Sequence, residues 1–116
     1  MRKSYIKVSF QKEGIHKYPG AKDLPGVEFL QYPHRHIFHF YVTLGVFHDD
    51  RDVEFIRFKR EVTKYLVDKY DDGECLKFND MSCEMIAKEL LTKYDLTKCS
   101  VFEDNENGAT VYQYEV

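Results

Sequence analysis

An α+β domain with the element order β-β-α-α-β-β is the fold class this sequence predicts, and three observations predict it. Two early segments alternate with period two, the apolar period changes to three and four after Asp52, and alternation returns around an Asn-Gly pair near the C-terminus. Together they imply a four-stranded antiparallel sheet with two helices on one face. At 116 residues, with no internal linker or low-complexity tract, the chain fits one domain spanning residues 1–116.

The first strand is carried by Tyr5, Ile6, Val8 and Phe10 and continues to His16 through an irregular stretch at Glu13-Gly14. Residues 17–33 hold Pro19-Gly20, Pro25-Gly26 and Pro33 with little periodicity, which predicts a long loop of the kind that tends to be functional. The second strand runs from His34 to about Phe47, with Phe38 and Phe40 on the face of His34 and His36, and His39 on the other. Phe55, Phe58, Val62, Tyr65 and Leu66 form the apolar stripe of a helix over 53–69, which Asp71-Asp72-Gly73 ends. A second helix starts after Asn79-Asp80, either of which can cap it, and runs to about Tyr94 with Ile86, Ala87, Leu90, Leu91 and Tyr94 inward. The strands Cys99–Phe102 and Thr110–Val116 complete a hairpin with Asn107-Gly108 at its bend.

Composition narrows the function. An apolar share of 43% is enough for a modest core without disulfides. A net charge of −3, with no Lys/Arg cluster, argues against a nucleic-acid partner. Cys75, Cys83 and Cys99 are odd in number and lack a Cys-x-x-Cys spacing, so they read as reduced packing thiols of a cytoplasmic protein. Met1-Arg2-Lys3-Ser4 leads into an alternating segment, and no 18 apolar residues run together, so neither a signal peptide nor a membrane span is expected.

The candidate chemistry lies in three histidines. His34 and His36, two apart on a strand, aim at one point, and an antiparallel partner strand would bring His16 beside them. Three neutral imidazoles would leave the fourth position of a Zn²⁺ ion open, the arrangement of a catalytic site. The same spacing also suits surface or hydrogen-bonded histidines, so the residues alone leave both readings open.

Five segments, in order, go further: Phe10 with His16-Lys17-Tyr18; His34-Arg35-His36-Ile37-Phe38; Val53-Glu54-Phe55; Ser82-Cys83-Glu84-Met85-Ile86-Ala87; and Val101-Phe102-Glu103. Over most of its length the chain thereby resembles the 6-pyruvoyl-tetrahydropterin synthase and 6-carboxy-tetrahydropterin synthase family. The resemblance implies a tunnelling fold whose sheets join between subunits into a barrel, and hence a homo-oligomer, a trimer or hexamer. It implies zinc on His16, His34 and His36, and a pterin or purine-like ligand such as dihydroneopterin triphosphate. Glu103 would grip that ring through two parallel hydrogen bonds, with Ser82 also at the substrate. A lyase in biopterin, folate or queuosine biosynthesis is the activity it suggests.

The chain departs from the family where proton transfer is done. Leu30 stands at the family's catalytic cysteine, and no histidine follows His48 to serve as the His of its Asp-His pair. Asp68, Asp71 and Asp72 lie near the latter place, and a replacement base could come from the loop as Tyr18, Asp23 or Glu28. Arg35 replaces the glycine between the paired histidines, and Ile37-Phe38 an Asn-Tyr. Three readings follow. One is a zinc enzyme with divergent synthase chemistry, and another a non-catalytic pterin- or purine-binding or assembly domain. The third is a structural zinc in an oligomer joined through surfaces bearing Tyr41, Tyr112 and Tyr114.

Overall fold

A computed structural model describes residues 3–113. Met1-Arg2 of the basic N-terminus, Tyr114 and the predicted end of the last strand at Val116 lie outside the described residues. The elements in order are β1 (Ser4–His16), β2 (His34–Val46), α1 (Phe55–Tyr70), β3 (Leu76–Asn79), α2 (Cys83–Tyr94), β4 (Lys98–Phe102) and β5 (Gly108–Tyr112). Two short 3-10 helices, Pro19–Asp23 and Glu28–Gln31, lie in the connection between β1 and β2 and give the expected loop its shape.

The sheet has five strands in the order β3-β1-β2-β4-β5, where four were expected. The additional strand, β3, is four residues long and runs parallel to β1, so the sheet is mixed and the element order is β-β-α-β-α-β-β. Its burial alternates, with Leu76 and Phe78 in the core. β1 and β2 pair antiparallel without interruption from Ser4 opposite Val46 to His16 opposite His34. The irregularity expected at Glu13-Gly14 is instead a register shift on the β3 side, between Ile15 and His16. Gly14 serves a different purpose. A Cβ there would lie 2.9 Å from the Phe38 ring and 3.1 Å from that of Phe78, so glycine lets two core aromatics meet over β1.

One face of the sheet carries the core. Val8, Phe38, Phe40, Val42, Cys99 and Val101 from the strands meet Phe58, Val62 and Leu66 of α1 and Ile86, Ala87, Leu90 and Leu91 of α2. Removing a fully buried ring such as that of Phe38 costs about 3–5 kcal/mol. Phe55, placed on the apolar stripe of α1 by its spacing, is 54% exposed because it lies in the first turn, beyond the sheet. Glu54 caps that helix by accepting from the Ile56 and Arg57 N–H groups, which hold its carboxyl below the usual range. The cap of α2 is Ser82, whose Oγ accepts from Met85 N–H at 3.1 Å; neither Asn79 nor Asp80 does this work. Asn79 ends β3 in a left-handed conformation, φ 55°.

The opposite sheet face exposes Tyr5, Ile37, Tyr41 and Tyr112. Cys75, Cys83 and Cys99 are buried free thiols, as their packing role requires. Among the described residues no helix is long and apolar enough to cross a membrane.

Candidate metal centre

The uninterrupted β1–β2 register sets His16 directly across from His34 and Gly14 across from His36. Alternation then turns all three histidines onto the core face, beyond the Phe38 ring that closes the core beneath them. The His16 ring centroid lies 4.5 Å from that of His34 and 5.6 Å from that of His36, in edge-to-face arrangements. Glu103 joins them from the far side. Cys99 and Val101 point into the core along β4, and the next residue of that alternation is Glu103. One ligand atom from each of His16, His34, His36 and Glu103 lies within 4.8 Å of the others.

Backbone groups fix how the rings are protonated. After Asn79 the chain turns tightly, with Met81 N–H donating to Phe78 and Lys17 N–H to Asn79, and the turn presents the Met81 carbonyl to the His16 ring. His16 Nδ1–H donates to that carbonyl at 2.9 Å, and His34 Nδ1–H donates to the Tyr32 carbonyl at 2.9 Å. In a neutral ring, carbonyl partners of this kind leave Nε2 as the lone pair. His16 Nε2 is 3.1 Å from Glu103 Oε2, and His36 Nε2 is 3.6 Å from the same oxygen, beyond hydrogen-bond reach. His36 Nε2 is buried without a hydrogen-bond partner among the described residues. Burial lowers the His36 pKa, the Glu103 carboxylate works against that, and the neighbouring His34 and His16 add to it. The ring is therefore neutral at pH 7.

The donor set is thus one carboxylate and three imidazoles converging on one space, joined among the described residues by the 3.1 Å approach of His16 Nε2 to Glu103 Oε2. A buried acceptor left unpaired is destabilising by about 1–3 kcal/mol, and several facing one another add repulsion. A divalent cation removes both penalties, and nitrogen and oxygen donors of this type suit zinc. The residues present fit a metal.

Beside the cluster opens a cavity of about 710 Å³, within the roughly 300–1,000 Å³ of small-molecule sites. His16, His34 and Glu103 line it together with Tyr18, Leu30, Ser82, Cys83, Met85 and Asn107. Ser82, expected at the substrate, is at the cavity with its Oγ already bonded to the α2 backbone. Glu103 is held at the rim by its own N–H donating to the Asn107 carbonyl at 3.0 Å. Asp104 braces that turn by accepting from the Glu106 and Asn107 N–H groups. The hairpin bend therefore falls at residues 103–107, and Gly108 opens β5. A Cβ on Gly108 would sit 2.3 Å from Phe102 Cγ, so this strand start has to be glycine.

The acid–base candidates divide. Tyr18 lines the cavity, whereas Asp23 and Glu28 are not among its lining residues. Glu28 instead accepts from Gly26 N–H. Asp68 pairs with Lys64, Asp71 accepts from Gly73 N–H, and Asp72 accepts from Glu74 N–H, all away from the cavity. Sequence reasoning passed over Cys83, whose thiol reaches the wall. Burial, and then the carboxylates of Glu103, Glu84 and Asp104, push it up to about 12, so it is not a thiolate near neutral pH.

No family model matches the sequence, and no curated protein matches it. A solved structure does match: 6-pyruvoyl tetrahydropterin synthase (PTPS) of Plasmodium falciparum, with a TM-score of 0.55, covering 97% of this chain and 99% of that one. The chain shares the synthase's fold. At 17% identity the likeness extends to the architecture and not to particular residues. On that architecture the present chain puts a leucine, Leu30, in the cavity wall and offers neither a thiolate nor a histidine beyond His16 and His34 among the lining residues.

Proposed function

We propose that His16, His34 and His36 hold a zinc ion and that the adjoining cavity receives a pterin-like ring, with Glu103 accepting from the ring's amino and N–H edge. The observation that carries this is the buried His36 Nε2, without a hydrogen-bond partner among the described residues, beside two further imidazoles and a carboxylate. Bound zinc would supply Lewis acidity toward a hydroxyl or carbonyl on the ring's side chain. The protein's own groups do the rest. The Met81 and Tyr32 carbonyls hold two imidazoles in the tautomer that coordinates, and Leu30, Met85 and Tyr18 add apolar surface to the cavity.

A second reading, binding without synthase chemistry, is favoured by one observation. With Leu30 in the wall and the Cys83 thiol at about 12, Tyr18 is the one of the loop candidates Tyr18, Asp23 and Glu28 that lines the cavity. The two readings separate in one experiment on zinc-loaded protein. Fluorescence titration with dihydroneopterin triphosphate measures binding, and chromatography of the same samples measures turnover. Saturable binding that is weakened in Glu103→Gln supports the ring site, and conversion lost in Tyr18→Phe supports a synthase-like enzyme. Binding without conversion leaves a pterin-binding domain, and absence of binding rejects the ring site.

Self-assembly belongs to the same proposal. Tyr5, Ile37, Tyr41 and Tyr112 lie exposed on the helix-free face of the sheet, and β5 leaves one edge unpaired. Sheets of three copies, or of two such rings, would cover both. Light scattering on a sizing column is expected to give a trimer or hexamer, and a monomer at micromolar concentration would reject assembly.

A further inference from the structure

The Glu103 carboxylate occupies an ambiguous place. It borders the cavity, where the proposed ring would need it, and it also leans into the histidine cluster, 3.1 Å from His16 Nε2 and 3.6 Å from His36 Nε2. With His16 Nδ1–H committed to the Met81 carbonyl, Nε2 faces the Glu103 carboxylate oxygen at 3.1 Å, where the two atoms share either a proton or a cation. Such a contact is sensible if a cation is shared by both atoms. The backbone supports it from behind, because the Asp104-braced turn and the Asn107 carbonyl fix where the Glu103 main chain leaves β4. Its side chain is 28% exposed and lines the cavity.

Resting on the metal reading above, we propose that Glu103 is the fourth protein ligand of the metal in the ligand-free protein and that an incoming ring draws the carboxylate away. Three histidines and one glutamate complete the four-coordinate shell of a closed zinc site. The ring's amino and N–H groups then compete for the same carboxylate oxygens, and the position they vacate becomes available to the ring's side chain. One residue thereby couples recognition to opening of the metal, and solvent has no open position on the metal before the ligand arrives.

The test uses cobalt(II) in place of zinc, on full-length wild type, Glu103→Gln and Glu103→Ala, with visible absorption as the readout and no dependence on activity. Thiocyanate serves as a small probe of an open coordination position. The wild type is expected to bind cobalt and to show no spectral change with thiocyanate. Both variants are expected to respond to it and to bind cobalt at least about tenfold more weakly, the lower end of what even an indirect partner of a metal ligand contributes. Wild type that responds to thiocyanate, or that matches Glu103→Gln in cobalt affinity, overturns the fourth-ligand assignment while leaving the three-histidine site intact. Wild type that binds no cobalt overturns the metal reading itself. The wild-type titration decides the matter even if a variant fails to fold.

Discussion

Two carboxylates in this molecule, Glu89 and Glu103, are each surrounded by polar side chains, and their surroundings are opposite in kind. Glu89, on α2, accepts from Tyr65 Oη at 2.8 Å, from Tyr70 Oη, and from Lys69 Nζ at 3.1 Å, so every neighbour is a donor. Glu103 faces Nε2 of His16 and of His36, and the third ring, His34, brings another nitrogen into the same space. The Glu89 cluster is complete with protein atoms alone and ties α1 to α2. The Glu103 cluster leaves His36 Nε2 without a hydrogen-bond partner among the described residues. Polar groups that satisfy one another are structural, and polar groups of one kind brought together at a cavity floor are held there against their own repulsion, which is the mark of a binding site.

The comparison can be broken by adding the missing partner. Zinc at a free concentration a thousand times its Kd is expected to stabilise the protein by about 4 kcal/mol, read as a rise in the denaturation midpoint that His36→Ala abolishes. Next in size, Glu89→Ala leaves two hydroxyls and an ammonium without their acceptor. It is expected to lose about 2–3 kcal/mol in urea unfolding whether or not zinc is present.

The same carboxylate sharpens the contrast through pH. Burial raises the Glu89 pKa, but hydrogen bonds from Tyr70, Tyr65 and Lys69 outweigh it and hold the group below its ordinary 4.5. The unfolded chain then takes up the proton first, so the stability Glu89 contributes is full above about pH 4.5 and is lost as pH falls through the lower folded value. Glu89→Gln is expected to flatten that acid limb of a stability–pH curve. The smallest effect has the opposite sign. His36→Phe replaces an orphaned acceptor by a ring of similar shape and is expected to stabilise the metal-free protein by about 1 kcal/mol, measured by chemical denaturation with a chelator present. A loss there of the size seen for Glu89→Ala would erase the distinction between the two clusters.

How far the site could be read from the chain follows the same physics. The His16 pairing with His34 was legible because strand alternation is strict and β1 and β2 are long enough to fix one register. Glu103 carries a signal of its own, the run Cys99, Val101, Glu103 on one face, although by itself a strand-end acid reads as solvated. β3 escaped notice because Leu76-Lys77-Phe78 is too short to assert a period, and it is held by β1 and not by its own propensity. The Ser82 cap was hidden by Asn79-Asp80, equally good capping residues three and two positions too early. The Met81 and Tyr32 carbonyls that set the histidine tautomers are backbone atoms, and no side-chain pattern announces them.

Zinc content per chain is the most direct measurement, made on protein purified without added metal or an affinity tag and compared with the His34→Ala, His36→Ala double variant. Near-stoichiometric zinc in the wild type and almost none in the variant is the predicted result. Folded wild-type protein that carries no zinc, or a variant that retains as much, would contradict the claim that these converging lone pairs exist to hold a metal.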